Sequence, residues 1–63
     1  MNNNLKKYRM QKGFTLAQLA KKTDLSAGYL CHLENGGRLN PSHNSMVKIS
    51  NALNISVEDI FFH

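Results

Sequence analysis

Residues 25–36 read LSAGYLCHLENG and carry both a start signal and a stop signal for a helix. Ser26 is a favourable N-cap because its hydroxyl can accept a hydrogen bond from a backbone N–H one turn later. Asn35 and Gly36 are expected to supply the left-handed backbone conformation that commonly ends a helix. The stretch therefore predicts a short helix from Ser26 to Glu34.

The two faces of this helix differ in character. Leu30 and Leu33 lie three residues apart and form an apolar stripe, with Leu25 just before the cap. The opposite face is small, weakly polar and nearly uncharged, and it consists of Ala27, Gly28, Cys31 and His32. A solvated helix face ordinarily carries charged residues such as lysine and glutamate. We therefore interpret the opposite face as one that closely approaches another surface.

The length and composition limit the class of protein. Sixty-three residues predict a single domain, residues 1–63, with a small core and marginal stability. The one cysteine, Cys31, rules out a disulfide within the chain and is compatible with a reducing cytosol. No apolar run approaches the length of a membrane span, and no signal peptide follows Met1. We expect a soluble cytoplasmic protein that does not interact with a membrane.

The charges are distributed unevenly along the chain. Residues 1–40 contain seven lysines and arginines against two acids, whereas residues 41–63 contain one lysine against two acids. The N-terminal part is therefore suited to face a polyanion, and the C-terminal part is not. A basic surface that is merely solvated would have the same composition.

A first helix is predicted from about residue 4 to residue 12. Asn3 or Asn4 can serve as its N-cap, and Gly13 can end it. Arg9 lies on or beside the apolar face of this helix. A charge in that position needs a partner.

A second helix begins with a capping box, in which Thr15 is the N-cap and the side chain of Gln18 reaches back to it. Only a few residues separate its end from the helix that starts at Ser26. Two short helices joined by a tight turn are typical of a helix-turn-helix. In this chain the turn carries Asp24 where glycine is frequent.

A loop over residues 35–41 and two more helices are predicted next. The loop contains Gly36, Gly37 and Arg38, so its backbone N–H groups could wrap a phosphate, although an ordinary connector would look the same. The fourth helix is predicted from Ser42 or Asn44 to residue 53, and Ser56 opens a short fifth helix. The fourth helix has an inward stripe of Met46, Ile49 and Leu53.

Catalysis and metal binding find little support in the sequence. The three histidines lack the spacing of a zinc site, and one thiol does not make a metal site. The chain has no Ser/His/Asp arrangement and no phosphate-binding motif. We therefore expect no enzymatic activity, no metal and no cofactor.

Over residues 5–61 the sequence resembles the Cro/C1-type helix-turn-helix domain, also called the XRE family. The matching residues are Leu5, Tyr8-Arg9, Lys12-Gly13-Phe14-Thr15, Gln18-Leu19-Ala20, Leu25-Ser26, Tyr29-Leu30, Leu33-Glu34-Asn35-Gly36, Asn40-Pro41-Ser42, Met46, Lys48-Ile49 and residues 52–61. The resemblance implies an all-α fold, namely a compact five-helix lambda-repressor-like DNA-binding domain. Its second and third helices form the helix-turn-helix, and the third lies in the major groove of DNA.

The resemblance also implies roles for individual residues. The base-reading positions are occupied by Ala27, Gly28, Tyr29 and His32. The phosphate-binding positions are expected at Thr15, Ser26, Asn35, Gly36, Arg38 and Asn40. A buried ion pair is implied between Arg9 and Glu34, which would supply the partner that Arg9 needs.

The chain departs from the family pattern at several positions. Leu16 stands where the family often has a glutamine that anchors a phosphate, and His43 stands where a hydrophobic residue is usual. Ala27 and Gly28 replace long polar base readers. These departures shift base reading toward Tyr29, His32 and the shape of the DNA.

The function that the resemblance implies is a sequence-specific double-stranded DNA-binding transcription regulator, a repressor that binds an inverted-repeat operator as a homodimer. The candidate dimer residues lie in the less basic C-terminal part and are Val47, Ile55, Phe62 and His63. The alternative is an antitoxin-like or adaptor protein that uses the same fold mainly to bind a regulatory partner protein. The short side chains at positions 27 and 28 slightly favour this alternative.

Overall fold

The structure is a computed structural model that describes residues 3–36 and 41–62. These residues form five helices and no strand, which confirms the all-α prediction. The helices are α1 (Leu5–Gln11), α2 (Leu16–Thr23), α3 (Ala27–Glu34), α4 (His43–Leu53) and α5 (Val57–Phe61). Three of the residues with a predicted role, Arg38, Asn40 and His63, lie outside the described residues.

All five helices contribute to one hydrophobic core. The stripe predicted for α3 is confirmed, since Leu30 and Leu33 are both buried. Leu5 comes from α1 and Leu19 from α2, so the N-terminal helices pack on the same centre. The buried hydrophobic residues are Leu5, Leu19, Leu30, Leu33, Ile49, Leu53, Ile60 and Phe61. Because α3 buries one side in this core, its other side faces away from the protein.

The inward stripe predicted for α4 is confirmed, and one polar residue joins it. Ile49 and Leu53 are buried, Met46 is half-buried and packs against the core, and the neighbouring Ser45 is also buried. Ser42, rather than Asn44, is the N-cap, and its hydroxyl accepts a hydrogen bond from the Ser45 N–H at 3.1 Å. The same hydroxyl donates to Ser45 Oγ at 3.0 Å, so the polar side chain that enters the core is satisfied.

Side-chain caps begin four of the five helices. Each cap hydroxyl accepts a hydrogen bond from the backbone N–H three residues later, and the cap residues are Thr15, Ser26, Ser42 and Ser56. The predicted capping box of α2 is present, with Gln18 Oε1 accepting from the Thr15 N–H at 2.9 Å. Caps of this kind satisfy N–H groups that have no partner within the helix, so they define where each helix starts.

Left-handed residues end several of the helices. Gly13 has φ of 77° at the end of α1, while Asp24 and Asn54 have φ of 59° and 57° at the ends of α2 and α4. At the end of α3 the prediction was wrong for Asn35, which has φ of −80°, and right for Gly36, which has φ of 66°. The Asn35 N–H still donates to the Cys31 carbonyl at 3.1 Å. The helical hydrogen bonding therefore continues through Asn35, and the chain turns one residue later.

Candidate nucleic-acid interface

The outward face of α3 is made of small and weakly polar side chains. Ala27, Gly28, Cys31 and His32 are all exposed, as the sequence pattern predicted. Tyr29 differs from them, because it is half-buried and packs against the hydrophobic core. Tyr29 therefore lies at the edge of this face and not among its fully exposed residues.

Gly28 is not required by the packing of the protein. A Cβ atom built at this position meets no heavy atom of another side chain or loop within 4 Å. Glycine within a helix costs about 0.5–1 kcal/mol relative to alanine, so an unneeded glycine is a cost to the fold. Its presence at the exposed start of α3 fits a surface that another molecule approaches closely.

The N-termini of α2 and α3 present hydrogen-bond donors and a favourable dipole. The Ser26 hydroxyl accepts from the Tyr29 N–H at 3.0 Å, and the Thr15 hydroxyl accepts from the Gln18 N–H at 3.1 Å. A hydroxyl that accepts a hydrogen bond can still donate its own proton, so both exposed caps can donate to a phosphate oxygen. Neither helix has an acidic residue in its first turn, which leaves the positive end of each dipole available to an anion.

Leu16 contributes to the packing of the protein. Its side chain is half-buried and packs against the core next to the start of α2. A hydrocarbon side chain cannot donate a hydrogen bond. At this end of α2, the groups that can donate to an anion are therefore the Thr15 hydroxyl and the backbone N–H groups.

An ion pair holds the far end of α3 against α1. Arg9 Nε lies 2.6 Å from Glu34 Oε2, and Arg9 Nη2 lies 3.2 Å from Glu34 Oε1, so the contact is bidentate. The third guanidinium nitrogen, Nη1, donates to the Phe14 carbonyl at 2.7 Å. The two side chains are only 12% and 5% exposed. One buried cation thus joins α1, the connection to α2 and the end of α3, and it fixes the angle at which α3 is presented.

Every lysine in the N-terminal half of the chain is exposed. Two of them lie over aromatic rings, with Lys7 Nζ 5.4 Å from the Tyr8 ring centre and Lys22 Nζ 5.5 Å from the Phe14 ring centre. Contacts of this kind hold the lysine stems along the protein while the ammonium groups stay in water. The exposed lysines are Lys6 and Lys7 on α1, Lys12 just after it, and Lys21 and Lys22 on α2.

The residues considered for a dimer surface differ in exposure. Phe62 is 64% exposed, whereas Val47 and Ile55 are half-buried, and Ile55 packs against the core. The sequence pattern did not single out Met10, which is 61% exposed. Helical spacing could have found it, because Met10 lies five positions after the buried Leu5, about 140° around the helix.

The described residues show no candidate for a metal site and no membrane span. Among them no three His, Cys, Asp or Glu side chains come together in a way that could hold a metal ion. None of the helices within residues 3–36 and 41–62 combines the length and the apolar content needed to cross a bilayer.

Comparison with known proteins identifies the family. Residues 5–60 match the family model described as helix-turn-helix. The chain belongs to the helix-turn-helix family, of the Cro/C1 type. The matched segment runs from the first residue of α1 to Ile60 in α5, so it includes all of α2 and α3.

Two transcriptional regulators of the family are similar in sequence. The chain is 36% identical over 56 residues to the HTH-type transcriptional regulator SinR of Bacillus subtilis (strain 168), which covers 89% of this chain and 50% of SinR. It is 35% identical over 54 residues to SlrR of the same organism, which covers 86% of this chain and 36% of SlrR. The chain thus spans half or less of the length of these relatives.

Solved structures of SinR share the fold. The crystal structure of SinR in complex with DNA, where SinR is described as the master regulator for biofilm formation, superimposes with a TM-score of 0.82 at 36% identity and covers 87% of both chains. The complex of SinR with the SinI protein gives the same TM-score and covers 87% of this chain and 53% of the other. The helix-turn-helix formed by α2 and α3 is therefore the arrangement that these relatives share.

Proposed function

We propose that this protein is a sequence-specific double-stranded DNA-binding transcription regulator in which α3 is the recognition helix. The observation that carries the proposal is the match to SinR in complex with DNA, which covers 87% of each chain. The proposal is supported by the bare outward face of α3, by the two capped helix N-termini and by the exposed lysines of the N-terminal half of the chain. The role is one of binding rather than catalysis, and it is exercised in the cytoplasm.

A homodimer and an inverted-repeat operator complete the proposal. One copy of a domain this small reads few base pairs, whereas two copies would place their α3 helices about 34 Å apart, one turn of DNA. The candidate dimer residues are Phe62, which is exposed, and Val47 and Ile55, which are half-buried. The fourth candidate, His63, lies outside the described residues. Occupation of an operator that overlaps a promoter would then repress transcription.

A salt titration with DNA tests the proposal. We first select bound sequences from random double-stranded DNA and then measure the affinity for the selected site between 50 and 300 mM salt. The logarithm of the affinity should fall steeply and linearly with the logarithm of salt concentration, with a slope of about −0.9 for each phosphate contacted. A selected site with two-fold symmetry would support the homodimer, and failure to enrich any sequence would contradict the function.

His32→Ala tests base reading by α3. His32 is the exposed residue of α3 with the longest polar side chain, and it can donate to or accept from a base edge. We expect the variant to lose preference at one base pair of the half-site, by about 1–3 kcal/mol, while Arg38→Ala weakens all sequences alike. The measurement is a competition assay over all single-base variants of the selected site.

The matched control for this variant is His43→Ala. His43 is also exposed, but it is the first residue of α4 and lies outside α3. Its loss should leave the order of preferred bases unchanged. An unchanged base preference in His32→Ala would show that this side chain reads no base.

The second candidate function is the binding of a regulatory protein partner. It is favoured by the match to the SinR complex with SinI and by the short side chains at Ala27 and Gly28. A chain with this function alone would bind a partner protein but would show only weak, sequence-independent DNA binding in the same titration.

A further inference from the structure

Asn3 connects two helices that are far apart in sequence. Its side-chain oxygen Oδ1 accepts a hydrogen bond from the Leu5 N–H at 3.0 Å, at the start of α1. Its amide nitrogen Nδ2 donates to the Leu33 carbonyl at 2.8 Å, in the last turn of α3. The first N–H groups and the last carbonyls of a helix lack partners within the helix, so one side chain binds a group at each of two helix ends. The Leu33 carbonyl also accepts from the Gly36 N–H at 3.3 Å, and the bond from Asn3 is its long-range contact.

The contact falls beside the ion pair already described. Leu33 is held through its carbonyl by Asn3, and the next residue, Glu34, is held through its side chain by Arg9. Both contacts involve the start of the chain, because Arg9 lies in α1 and Asn3 directly precedes Asn4, the N-cap of α1. The end of α3 is thereby fixed at its backbone as well as at a long side chain, and a backbone tie leaves less rotational freedom than a side-chain contact alone.

A short helix depends on such ties for its orientation. α3 has eight residues, about two turns, and a helix of this length is not stable on its own in water. Recognition requires side chains to be held close to their productive geometry. Leu33 lies six residues after Ala27, about 9 Å along the helix axis, so Asn3 acts on the end of α3 opposite to its first turn.

We propose that Asn3 is a positioning residue for the recognition helix, acting through its hydrogen bond to the Leu33 carbonyl rather than through contact with DNA. The proposal rests on the proposed function of α3. The side chain holds the last turn of α3 in register with α1, so that the exposed face of α3 meets the groove at one angle.

Asn3→Asp separates this role from helix capping. A carboxylate keeps the acceptor for the Leu5 N–H, but it has no hydrogen to donate to the Leu33 carbonyl and repels it. The matched control is Asn4→Asp, which adds the same charge one residue later. Asn4 also donates its amide to a backbone carbonyl, that of Asp59 in α5 at 3.1 Å, so the control removes an equivalent tie that does not involve α3.

Two measurements are made on both variants at a temperature where circular dichroism shows them fully folded. Affinity for the selected DNA site at fixed salt should be about two- to tenfold lower in Asn3→Asp than in Asn4→Asp, the range that corresponds to one hydrogen bond. The second measurement is hydrogen exchange at the backbone N–H of Asn35, which donates to the Cys31 carbonyl in the last turn of α3. Without DNA, this exchange should be faster in Asn3→Asp than in Asn4→Asp.

Each outcome bears on a different claim. Equal affinities of the two variants would overturn the positioning role. Lower affinity with unchanged exchange would assign the effect to a direct contact between residue 3 and DNA, which also overturns it. If the unmodified protein bound no DNA sequence specifically, the proposed function would fail, while the exchange measurement would still show whether Asn3 holds α3.

Discussion

Glu34→Ala is expected to lower the free energy of unfolding by about 3–5 kcal/mol. The substitution leaves the Arg9 guanidinium without its carboxylate, although the Arg9 side chain is only 12% exposed. An unpaired charge in that position costs much more than the intact pair contributes, because water cannot replace the lost partner. Urea unfolding followed by circular dichroism measures the change.

The size of this effect is large for a chain of 63 residues, whose total stability is roughly 3–9 kcal/mol. Glu34→Gln is the milder companion, since its amide oxygen can still accept from one Arg9 nitrogen. The control is Glu58→Ala in the first turn of α5, where the side chain is exposed and the loss should stay below about 1 kcal/mol. Equal losses for Glu34→Ala and Glu58→Ala would contradict a structural role for the ion pair.

Replacing both partners tests the explanation further. Arg9→Met combined with Glu34→Leu removes both charges and keeps apolar volume in the same place. We expect the double variant to recover much of the stability that Glu34→Ala loses, because no charge then lacks a partner. Its DNA affinity should still be reduced, since the bidentate contact that orients α3 is gone.

Leu30→Ala is expected to lower the free energy of unfolding by about 2–5 kcal/mol. Leu30 is fully buried, on the side of α3 that faces the core. Removing its side chain loses apolar burial and leaves a cavity that the surrounding side chains fill only in part. Thermal and urea unfolding of the same samples give the change in stability.

The control for Leu30→Ala is the next residue in the chain. Cys31 is exposed, and its sulfur accepts one long hydrogen bond, from the side-chain amide of Asn35 at 3.5 Å. Cys31→Ala should therefore change stability by less than about 0.5 kcal/mol. A loss as large as that of Leu30→Ala would mean that the outward face of α3 is part of a packed surface in the free protein.

Much of the fold could be predicted because its helix boundaries are local. The cap hydroxyls of Thr15, Ser26 and Ser56 each bond to an N–H only three residues later, so a short window of sequence contains both partners. The same holds for the left-handed Gly13 and Asn54. The opposite faces of α3 follow from helical spacing, which assigns Leu30 to one side and Cys31 to the other.

One prediction that failed concerns a choice between neighbours. Asn35 and Gly36 can both adopt the left-handed conformation, but the structure gives it to Gly36 alone, with φ of 66°, while Asn35 stays helical with φ of −80°. Gly36 has no Cβ atom, so the left-handed conformation costs it less than it costs Asn35. The burial of Ser45 was not predicted either, and its Oγ accepts a hydrogen bond from the Ser42 hydroxyl.

The sequence by itself determined five helices, their caps and the bare outward face of α3, because these features depend on residues within one or two turns of one another. Only the tertiary structure decided that Asn3 binds the carbonyl of Leu33, which lies 30 residues away in the chain. The pair between Glu34 and Arg9, 25 residues apart, was implied by the family resemblance and not by local spacing. Every residue has a backbone carbonyl, so the sequence does not indicate which carbonyl Asn3 binds. The folded structure is needed to identify that bond.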